Sequence, residues 1–361
     1  MSKNQNEELW SEDKELAGLK QQPWFESGKP CRSYLFHNRD YFEEFKQLWG
    51  EWGAQGIGKL RKVLLSRPTE NDFRPIYEKE PAYYRIYGNA LPDFDKMQRQ
   101  FDSFVNVLKE EDVEVYFWEQ PIPAVGPYGY MRAACGSTVT LLVTKAGAIM
   151  PRAAMAGWYS GYEPHLMKKL LELGCPILHS IHGQGVVCEI GAGVWLDDNH
   201  LYLADGITAN TQGIQQAKDV LSTIGVDVVV GHSPGFVDLW GYPAGGVSHP
   251  DMFLHMVDAG LALIYPNVVD YGTIKYLIEN KVKLIEGYPD EFMEYGCNAL
   301  EIEPGKIIIP AAAKKTIKAL RNAGVECIDL DFSEFAKAGA GGPHCITGRL
   351  LRDPGPLLTD L

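Results

Sequence analysis

The chain has 361 residues, of which 45% are hydrophobic and 22% are charged, and its formal net charge at pH 7 is −13. This composition is typical of a soluble globular protein rather than a disordered chain. The acidic balance argues against nucleic acid or an anionic membrane as the main partner, because both attract basic surfaces. We therefore expect a protein that acts on a small molecule.

Neither a membrane span nor a secretory signal is expected. No run of about 18 apolar residues occurs, and the N-terminal stretch MSKNQNEELW is polar, whereas a signal peptide carries an apolar segment there. The seven cysteines include no Cys-x-x-Cys pair. We expect reduced thiols and a cytoplasmic location.

Residues 1–55 precede the repeated part of the sequence and are rich in aromatic side chains, as in WFESGKPCRSYLFHNRDYFEEFKQLWGEWG. We expect a helical N-terminal extension that packs on the outside of the domain. Since no linker divides the rest of the chain, residues 56–361 are expected to form a single domain.

A pair of strands recurs along residues 56–361. Each copy has two apolar runs separated by a polar or glycine-containing turn, which is the pattern of a β-hairpin. The copies lie at 138–151, 194–205, 252–266 and 299–311, and residues 62–68 form a shorter relative.

A helix that leads into a strand also recurs. Apolar residues at helical spacing are followed by a polar or glycine stop and then by alternating apolar residues. The copies lie at 107–118, 169–180, 220–231, 276–287 and 319–330. Together the two patterns give a ββαβ unit of about 45–60 residues, repeated about five times. Five such units can close into a ring; a generic α/β sheet with coincidental spacing is the alternative.

The stretch AGAGGPHCITGRLLRDPGP, residues 338–356, places Cys345 on a glycine-rich turn. Glycines let the backbone approach a ligand closely, so this thiol is a candidate nucleophile as well as a candidate packing residue. An ordinary thiol is only about 3% ionised at neutral pH and needs a partner. His344 is adjacent, but neighbouring side chains in extended backbone point to opposite faces. The base is therefore expected elsewhere in the chain.

A long glycine-rich loop, residues 231–251, ends in His249-Pro250-Asp251. Such length is typical of a functional loop. In extended backbone His249 and Asp251 lie on the same face, so that one site receives an imidazole and a carboxylate. A capping or solvated His249 is the alternative. Glu189, in CEIGAGVWL, either orients a histidine or caps the following hairpin.

These motifs, in this order, resemble those of the guanidino-group-modifying superfamily, which includes arginine deiminase, dimethylargininase and amidinotransferases. GGPHCIT resembles its GGxHCxT motif and HPD its HxD motif. CEIGAG stands where the family has an acidic EGGD-type motif, and GYMRA (129–133) where it has an FTRD-type motif. The resemblance covers most of the chain after the N-terminal extension. It implies a fivefold pseudo-symmetric α/β propeller, the pentein fold, in agreement with the repeated units.

The resemblance also implies roles for individual residues. Cys345 would be the nucleophile that attacks a planar amidine-type carbon and forms a covalent S-linked intermediate. His249 would protonate the leaving group and then activate water, and Glu189 would hold the imidazole. Asp251 would accept hydrogen bonds from nitrogen atoms of the substrate. No cofactor is implied.

The substrate-binding positions expected from the motifs are Asp251, Arg132, Ala133, Ala192 and His344. Two of these depart from the family, since Ala133 and Ala192 stand where relatives have aspartates. Losing an acidic partner of a guanidinium costs about 1.5–3 kcal/mol, or roughly ten- to hundredfold in affinity. We therefore expect a smaller or neutral substrate rather than free arginine, and denitration of 2-nitroimidazole is an example.

Several alternatives stay open. An amidinotransferase would use the same thiol intermediate, and a non-catalytic propeller would only bind a ligand. The aromatic segments 156–164 and 237–243 either form walls around a flat ligand or pack in the core. His179 and His182 form an HxxH pair, but no third ligand stands at zinc spacing, so no metal is expected. A homo-oligomer is compatible with the sequence.

Overall fold

A computed structural model describes residues 21, 40–70, 72–73, 90–119, 136, 138–154, 161–233 and 249–361. The chain divides into two compact units, Met1–Gly50 and Glu51–Leu361. In the first, helix α1 (Tyr41–Trp49) begins after Asp40, whose side chain accepts hydrogen bonds from two backbone N–H groups of the first turn. The predicted packing of residues 1–55 on the propeller stays a prediction.

The described part of the second unit alternates short strands with helices. The strands are β1 (Leu60–Leu65), β2 (Glu114–Phe117), β3 (Leu142–Thr144), β4 (Gly147–Met150), β5 (Ile177–Ser180), β6 (Val194–Asp197), β7 (His200–Asp205), β8 (Asp227–His232), β9 (Leu254–Asp258), β10 (Leu261–Ile264), β11 (Lys283–Glu286), β12 (Leu300–Glu303), β13 (Lys306–Pro310), β14 (Glu326–Leu330) and β15 (Thr347–Arg352). The helices are α2 (Phe94–Glu110), α3 (Glu163–Glu172), α4 (Thr211–Ser222), α5 (Tyr271–Glu279), α6 (Lys314–Asn322) and α7 (Ser333–Ala338).

These strands form five three-stranded sheets of one design. In four of them a hairpin is followed by a helix and by a third strand that pairs in parallel with the second: β3-β4-β5, β6-β7-β8, β9-β10-β11 and β12-β13-β14. A tight turn makes consecutive strands antiparallel, so two parallel strands need a longer crossover connection. The helix provides that connection in these four sheets. The repeated ββαβ unit and the fivefold α/β propeller predicted from the sequence are confirmed.

The remaining sheet, β15-β1-β2, is assembled from both ends of the unit. β15 runs antiparallel to β1, with Val63 opposite Arg349 and Leu65 opposite Thr347. The interpretation of residues 62–68 as a shortened hairpin is therefore wrong, because the missing strand comes from the C-terminal end. β15 contacts β3, and β1 contacts β12, so this sheet joins the second repeat to the last.

Burial differs systematically across each sheet. The first strands, such as β3, β6 and β9, are almost entirely buried, whereas the third strands, such as β2 and β11, are partly exposed. The first strands also contact one another between neighbouring sheets, as β6 and β9 do. Loops that lead into the first strands are consequently brought together at the centre.

The helices cover the sheets with one apolar face each. In α2, the N-cap Asp93 accepts a hydrogen bond from the backbone N–H of Lys96. The buried positions recur at intervals of three and four residues, as an amphipathic helix requires: Met97, Phe101, Phe104 and Leu108. Within the described ranges, no helix combines the length and the apolar character needed to cross a bilayer.

Candidate active site

The loop between α7 and β15 carries Cys345, and close packing explains its two glycines. Gly341 has φ +93°, and a Cβ there would lie 2.5 Å from the sulfur of Cys345. A Cβ on Gly342 would lie 2.7 Å from the backbone oxygen of Asn298. Any larger side chain would displace the thiol or the backbone behind it. The Cys345 side chain is buried, with 8% of the residue exposed.

Asn298, two residues before the start of β12, holds this loop in place. Its side-chain Oδ1 accepts hydrogen bonds from the backbone N–H groups of Cys345 (3.0 Å) and Gly342 (3.1 Å). Its Nδ2 donates to Oδ2 of Asp251 at 3.0 Å. Sequence patterns did not predict a role for this residue. The available signal was a single amide within the apolar run GCNAL before a predicted strand.

Asp251 is fully buried beside the thiol. Its Oδ2 accepts the hydrogen bond from Asn298 and a second one of 2.6 Å from Nδ1 of His344, and it lies 4.0 Å from the sulfur of Cys345. Its Oδ1 is buried and has no hydrogen-bond partner among the described residues. Burial alone would raise the pKa of Asp251, but the hydrogen bond from His344 and the positive charges of His249 and Arg349 lower it. The group is therefore a carboxylate with one oxygen unused.

His344 supplies one of those hydrogen bonds as a neutral imidazole. Its burial and the nearby positive charge of Arg349 lower the pKa of His344, and the contact with Asp251 only partly opposes them. Because the acceptor is a carboxylate, Nδ1 must carry the proton.

His249 and Glu189 form a second buried pair. Nε2 of His249 lies 2.5 Å from Oε2 of Glu189, and Oε1 of Glu189 accepts a hydrogen bond of 2.8 Å from the backbone N–H of Ala154. Glu189 makes no side-chain capping bond to the short 3₁₀ turn that follows it. Burial alone would lower the pKa of His249, but the hydrogen bond that its ring N–H donates to Glu189 and the charges of Glu189 and Asp251 raise it. The carboxylate therefore favours the imidazolium form.

The two groups of residues are linked electrostatically. The charge of Asp251 contributes to the raised pKa of His249, and the charge of His249 contributes to the lowered pKa of Asp251. Three separate parts of the chain thus place a thiol, a carboxylate and a buried imidazole–carboxylate pair in one region. This set contains a nucleophile, an acid–base group and an acceptor for substrate N–H donors.

The chain is similar to known proteins in sequence. The family model for arginine deiminase matches residues 271–352. A 2-nitroimidazole nitrohydrolase from Mycobacterium sp. (strain JS330) is 27% identical over 329 residues, which cover 86% of this chain and 84% of the relative.

Solved structures share the fold. An amidinotransferase from Microseira wollei, which acts in saxitoxin biosynthesis, has a TM-score of 0.64 at 17% identity and covers 83% of this chain and 97% of its own. The N-terminal domain of ArgZ, a cyanobacterial arginine dihydrolase solved with its substrate, has a TM-score of 0.61 at 18% identity, covering 82% and 98%. The chain therefore resembles enzymes of the guanidino-group-modifying superfamily in sequence and shares their fold. ArgZ has also been solved covalently bound to a reaction intermediate.

The HxD motif of the superfamily does not lie on a strand here. His249 has extended backbone angles (φ −116°, ψ 144°), but Pro250–Met252 form a 3₁₀ turn, and β9 begins only at Leu254. Proline fixes its own φ near the helical value and suits the first position of such a turn. The prediction that His249 and Asp251 share one face of an extended segment is therefore wrong. The turn aims the two side chains at different partners.

The expected direction of His344 is also corrected. Residues 343–346 form a turn rather than extended backbone. As a result, the side chains of His344 and Cys345 do not diverge, and both reach the same oxygen of Asp251.

Two other predicted substrate positions lie outside the described residues, namely Arg132 and Ala133, as do residues 156–160 and 237–243 of the aromatic segments. Ala192 is buried at the end of the 3₁₀ turn Ile190–Ala192. The backbone oxygen of its neighbour Gly191 accepts a hydrogen bond of 2.5 Å from Arg349. In the described part of the first aromatic segment, Tyr162 packs edge-on against Trp118.

The other described thiols differ from Cys345 in their surroundings. Burial raises the pKa of Cys175 and of Cys188 to about 12 and that of Cys327 to about 11, and burial followed by the charge of Asp251 raises the pKa of Cys297 well above its usual value. These four stay protonated at neutral pH.

The rings of His179 and His182 lie 5.6 Å apart. Across the described ranges, no three His, Cys, Asp or Glu side chains are grouped as metal ligands.

A buried charged cluster lies behind the site. The rings of His255 and His344 are perpendicular at 5.6 Å, and Nε2 of His255 lies 3.3 Å from Oε1 of Glu301. Glu301 pairs with Arg352 at 3.0 Å. Burial lowers the pKa of His255 to about 4, despite the opposing charge of Glu301. Although burial alone would raise the pKa of Glu301, the charges of His255 and Arg352 lower it to about 2. The cluster thus holds a neutral imidazole beside a carboxylate–guanidinium pair.

Proposed function

We propose that the protein is a cysteine-dependent hydrolase of carbon–nitrogen bonds. It attacks the planar carbon of an amidine- or guanidine-like small molecule through Cys345 and releases a nitrogen leaving group. The observation that carries this proposal is the position of the Cys345 sulfur 4.0 Å from Asp251, a buried carboxylate with one unused oxygen. Leaving a buried acceptor unpaired is costly, so this oxygen suits an N–H donor of the substrate.

The residues can complete a balanced reaction. The thiolate of Cys345 attacks the carbon, and a carbon–sulfur bond forms as the carbon–nitrogen bond breaks. His249 donates its proton to an amine-type leaving nitrogen; when the group leaves as an anion such as nitrite, the imidazolium of His249 releases this proton to solvent instead. Neutral His249 then takes a proton from water, the oxygen bonds to the carbon, and the carbon–sulfur bond breaks. Thiolate and imidazolium are restored, and a product with a new carbon–oxygen bond leaves.

Glu189 has a defined part in this sequence. Its hydrogen bond keeps His249 in one orientation and favours the protonated form before the leaving group departs. Since both groups are buried, water screens their attraction little. His344 and Asn298 occupy Oδ2 of Asp251, so that its Oδ1 faces the substrate.

We infer that the substrate is smaller than arginine or neutral, with 2-nitroimidazole as a specific candidate. Its ring carbon between two nitrogens carries a nitro group, which leaves as nitrite without needing a proton. Alanine stands at positions 133 and 192, where the motifs that the chain resembles carry aspartates. This supports a substrate without a full guanidinium charge. The 27% identity to a 2-nitroimidazole nitrohydrolase over 86% of the chain supports the same candidate.

The test combines turnover with labelling. The purified protein is incubated with 2-nitroimidazole, arginine, agmatine and simple amidines, and nitrite, ammonia and amines are measured. Chloroacetamidine labelling, located by mass spectrometry, is expected at Cys345 and is expected to vanish in Cys345→Ser and to slow in His249→Ala. Cys175→Ser, at another buried thiol, is the control and should behave as the wild type.

Each alternative has its own outcome. Product that appears only when an amine acceptor is added would replace the hydrolase with an amidinotransferase. A Cys345 thiol that chloroacetamidine does not label would indicate a ligand-binding propeller. Efficient turnover of arginine would overturn the altered substrate. The cytoplasmic location and a homo-oligomeric state stay predictions from the sequence.

A further inference from the structure

Asn298 uses both ends of its side-chain amide at the site. Oδ1 accepts from two backbone N–H groups of the nucleophile loop, and Nδ2 donates to Oδ2 of Asp251. The residue has no exposed surface. Only one orientation of the amide fits, because a flipped amide would turn its NH₂ group toward two N–H donors.

We infer that Asn298 is a positioning residue that couples the nucleophile to the substrate-binding carboxylate. It fastens the backbone of Cys345 and holds Asp251 so that Oδ1 points to the substrate. The inference rests on the proposed function, in which Asp251 receives an N–H donor of the substrate.

The geometry of Asp251 explains why the coupling matters. Two donors, Nδ2 of Asn298 at 3.0 Å and Nδ1 of His344 at 2.6 Å, converge on Oδ2. A carboxylate whose one oxygen is held by two donors cannot rotate freely, so its second oxygen has a defined position. The same amide holds the N–H of Cys345 at 3.0 Å. A single side chain therefore sets the distance between the attacking sulfur and the unused oxygen.

Few other side chains can make these contacts. Aspartate would keep the acceptor but lose the donor toward Asp251. Serine and threonine carry one hydroxyl, which is too short to span both partners, and they add no charge. The serine and threonine variants therefore remove the coupling without a new electrostatic effect.

The test compares two reagents on the same thiol. Chloroacetamidine is a cation whose N–H groups can form charge-assisted hydrogen bonds with Asp251, whereas iodoacetamide is a neutral amide that lacks this charge and therefore reports mainly the reactivity of Cys345. The rate ratio is the rate of alkylation of Cys345 by chloroacetamidine divided by its rate of alkylation by iodoacetamide. In Asn298→Ser we expect this rate ratio to fall at least tenfold from the wild-type value. Asn298→Thr, whose methyl group fills more of the vacated space, should show the same fall. Melting temperatures are measured in parallel.

Asn210→Ser is the matched control. Oδ1 of Asn210 also accepts from two backbone N–H groups, those of Val187 and Gly213, and its Nδ2 donates to the backbone oxygen of Gly185. It caps α4 rather than the nucleophile loop. Its rate ratio should stay within twofold of the wild type, although its melting temperature falls.

The outcomes separate the two proposals. If both Asn298 variants slow the two reagents equally, Asn298 only stabilises the loop and the positioning role is wrong. If wild-type Cys345 shows no preference for the amidine reagent, the proposed function fails instead, whatever the variants do.

Discussion

Replacing Glu189 with glutamine removes a charge next to His249 while keeping the shape of the side chain. A hydrogen bond to a charged group contributes about 1.5–3 kcal/mol, and about 1.36 kcal/mol corresponds to one pKa unit. The two side chains are buried and lie 2.5 Å apart, so solvent screening does not reduce this value much. We expect the pKa of His249 to fall in Glu189→Gln, because the imidazolium loses roughly 1.5–3 kcal/mol of stabilisation. Burial, which lowers the pKa of His249, would then dominate.

The direction of this change in the pKa of His249 can be measured directly. The pKa of His249 is raised in the wild type, so His249 stays protonated to a higher pH there than in the variant. NMR titration of labelled histidine resolves this, with His249 identified among the nine histidines by its absence in His249→Asn. With an active substrate, the alkaline limb of the kcat/KM profile should move to lower pH by the same amount.

A specific result would refute this reasoning. If the pKa of His249 is unchanged or higher in Glu189→Gln and only the maximal rate drops, Glu189 orients the imidazole without setting its charge. Glu291→Gln is the control, because Glu291 is a buried carboxylate that accepts bonds from backbone N–H groups at the start of α6. Its replacement should leave the titration of His249 in place.

Three further outcomes are expected. Gly341→Ala should slow alkylation of Cys345 at least tenfold, because its Cβ would lie 2.5 Å from the sulfur. Gly324→Ala is the control, since Gly324 has φ +94° and no atom within 4 Å of an added Cβ, and it should only lose about 1–2 kcal/mol of stability. Equal slowing of alkylation in the two variants would contradict this prediction. Burial lowers the pKa of His255 in the folded protein to about 4, against 6.5 for an ordinary histidine, so that between these pH values the unfolded chain binds one more proton. The free energy of unfolding should therefore fall by about 3 kcal/mol from pH 6.5 to pH 4. Urea denaturation of His255→Asn should show a smaller fall, and an identical pH dependence in the variant would disprove this prediction. Asp251→Asn should slow labelling by chloroacetamidine roughly ten- to hundredfold and labelling by iodoacetamide much less, while comparable slowing would remove its role in recognising the amidine.

Much of the fold follows from local patterns in the sequence. Each repeat contains its own hairpin turn and its own helix periodicity. It can therefore be predicted from its own residues, without knowledge of the neighbouring repeats. The same holds for Cys345, since its glycine-rich turn marks an unusual backbone. Gly341 has a positive φ and leaves space for the sulfur, which is a local reason for the motif.

Contacts between distant segments were decided only by the tertiary structure. The pairing of β1 with β15 joins the two ends of the propeller, and no local pattern indicates it. Pro250 turns the chain before β9, which separates the partners of His249 from those of Asp251. Asn298 is an ordinary polar residue in its own segment and acquires its role only where the loops of different repeats meet. Periodicity reports which side of an element is buried, whereas the hydrogen-bond partners of a buried polar group depend on how the repeats pack together.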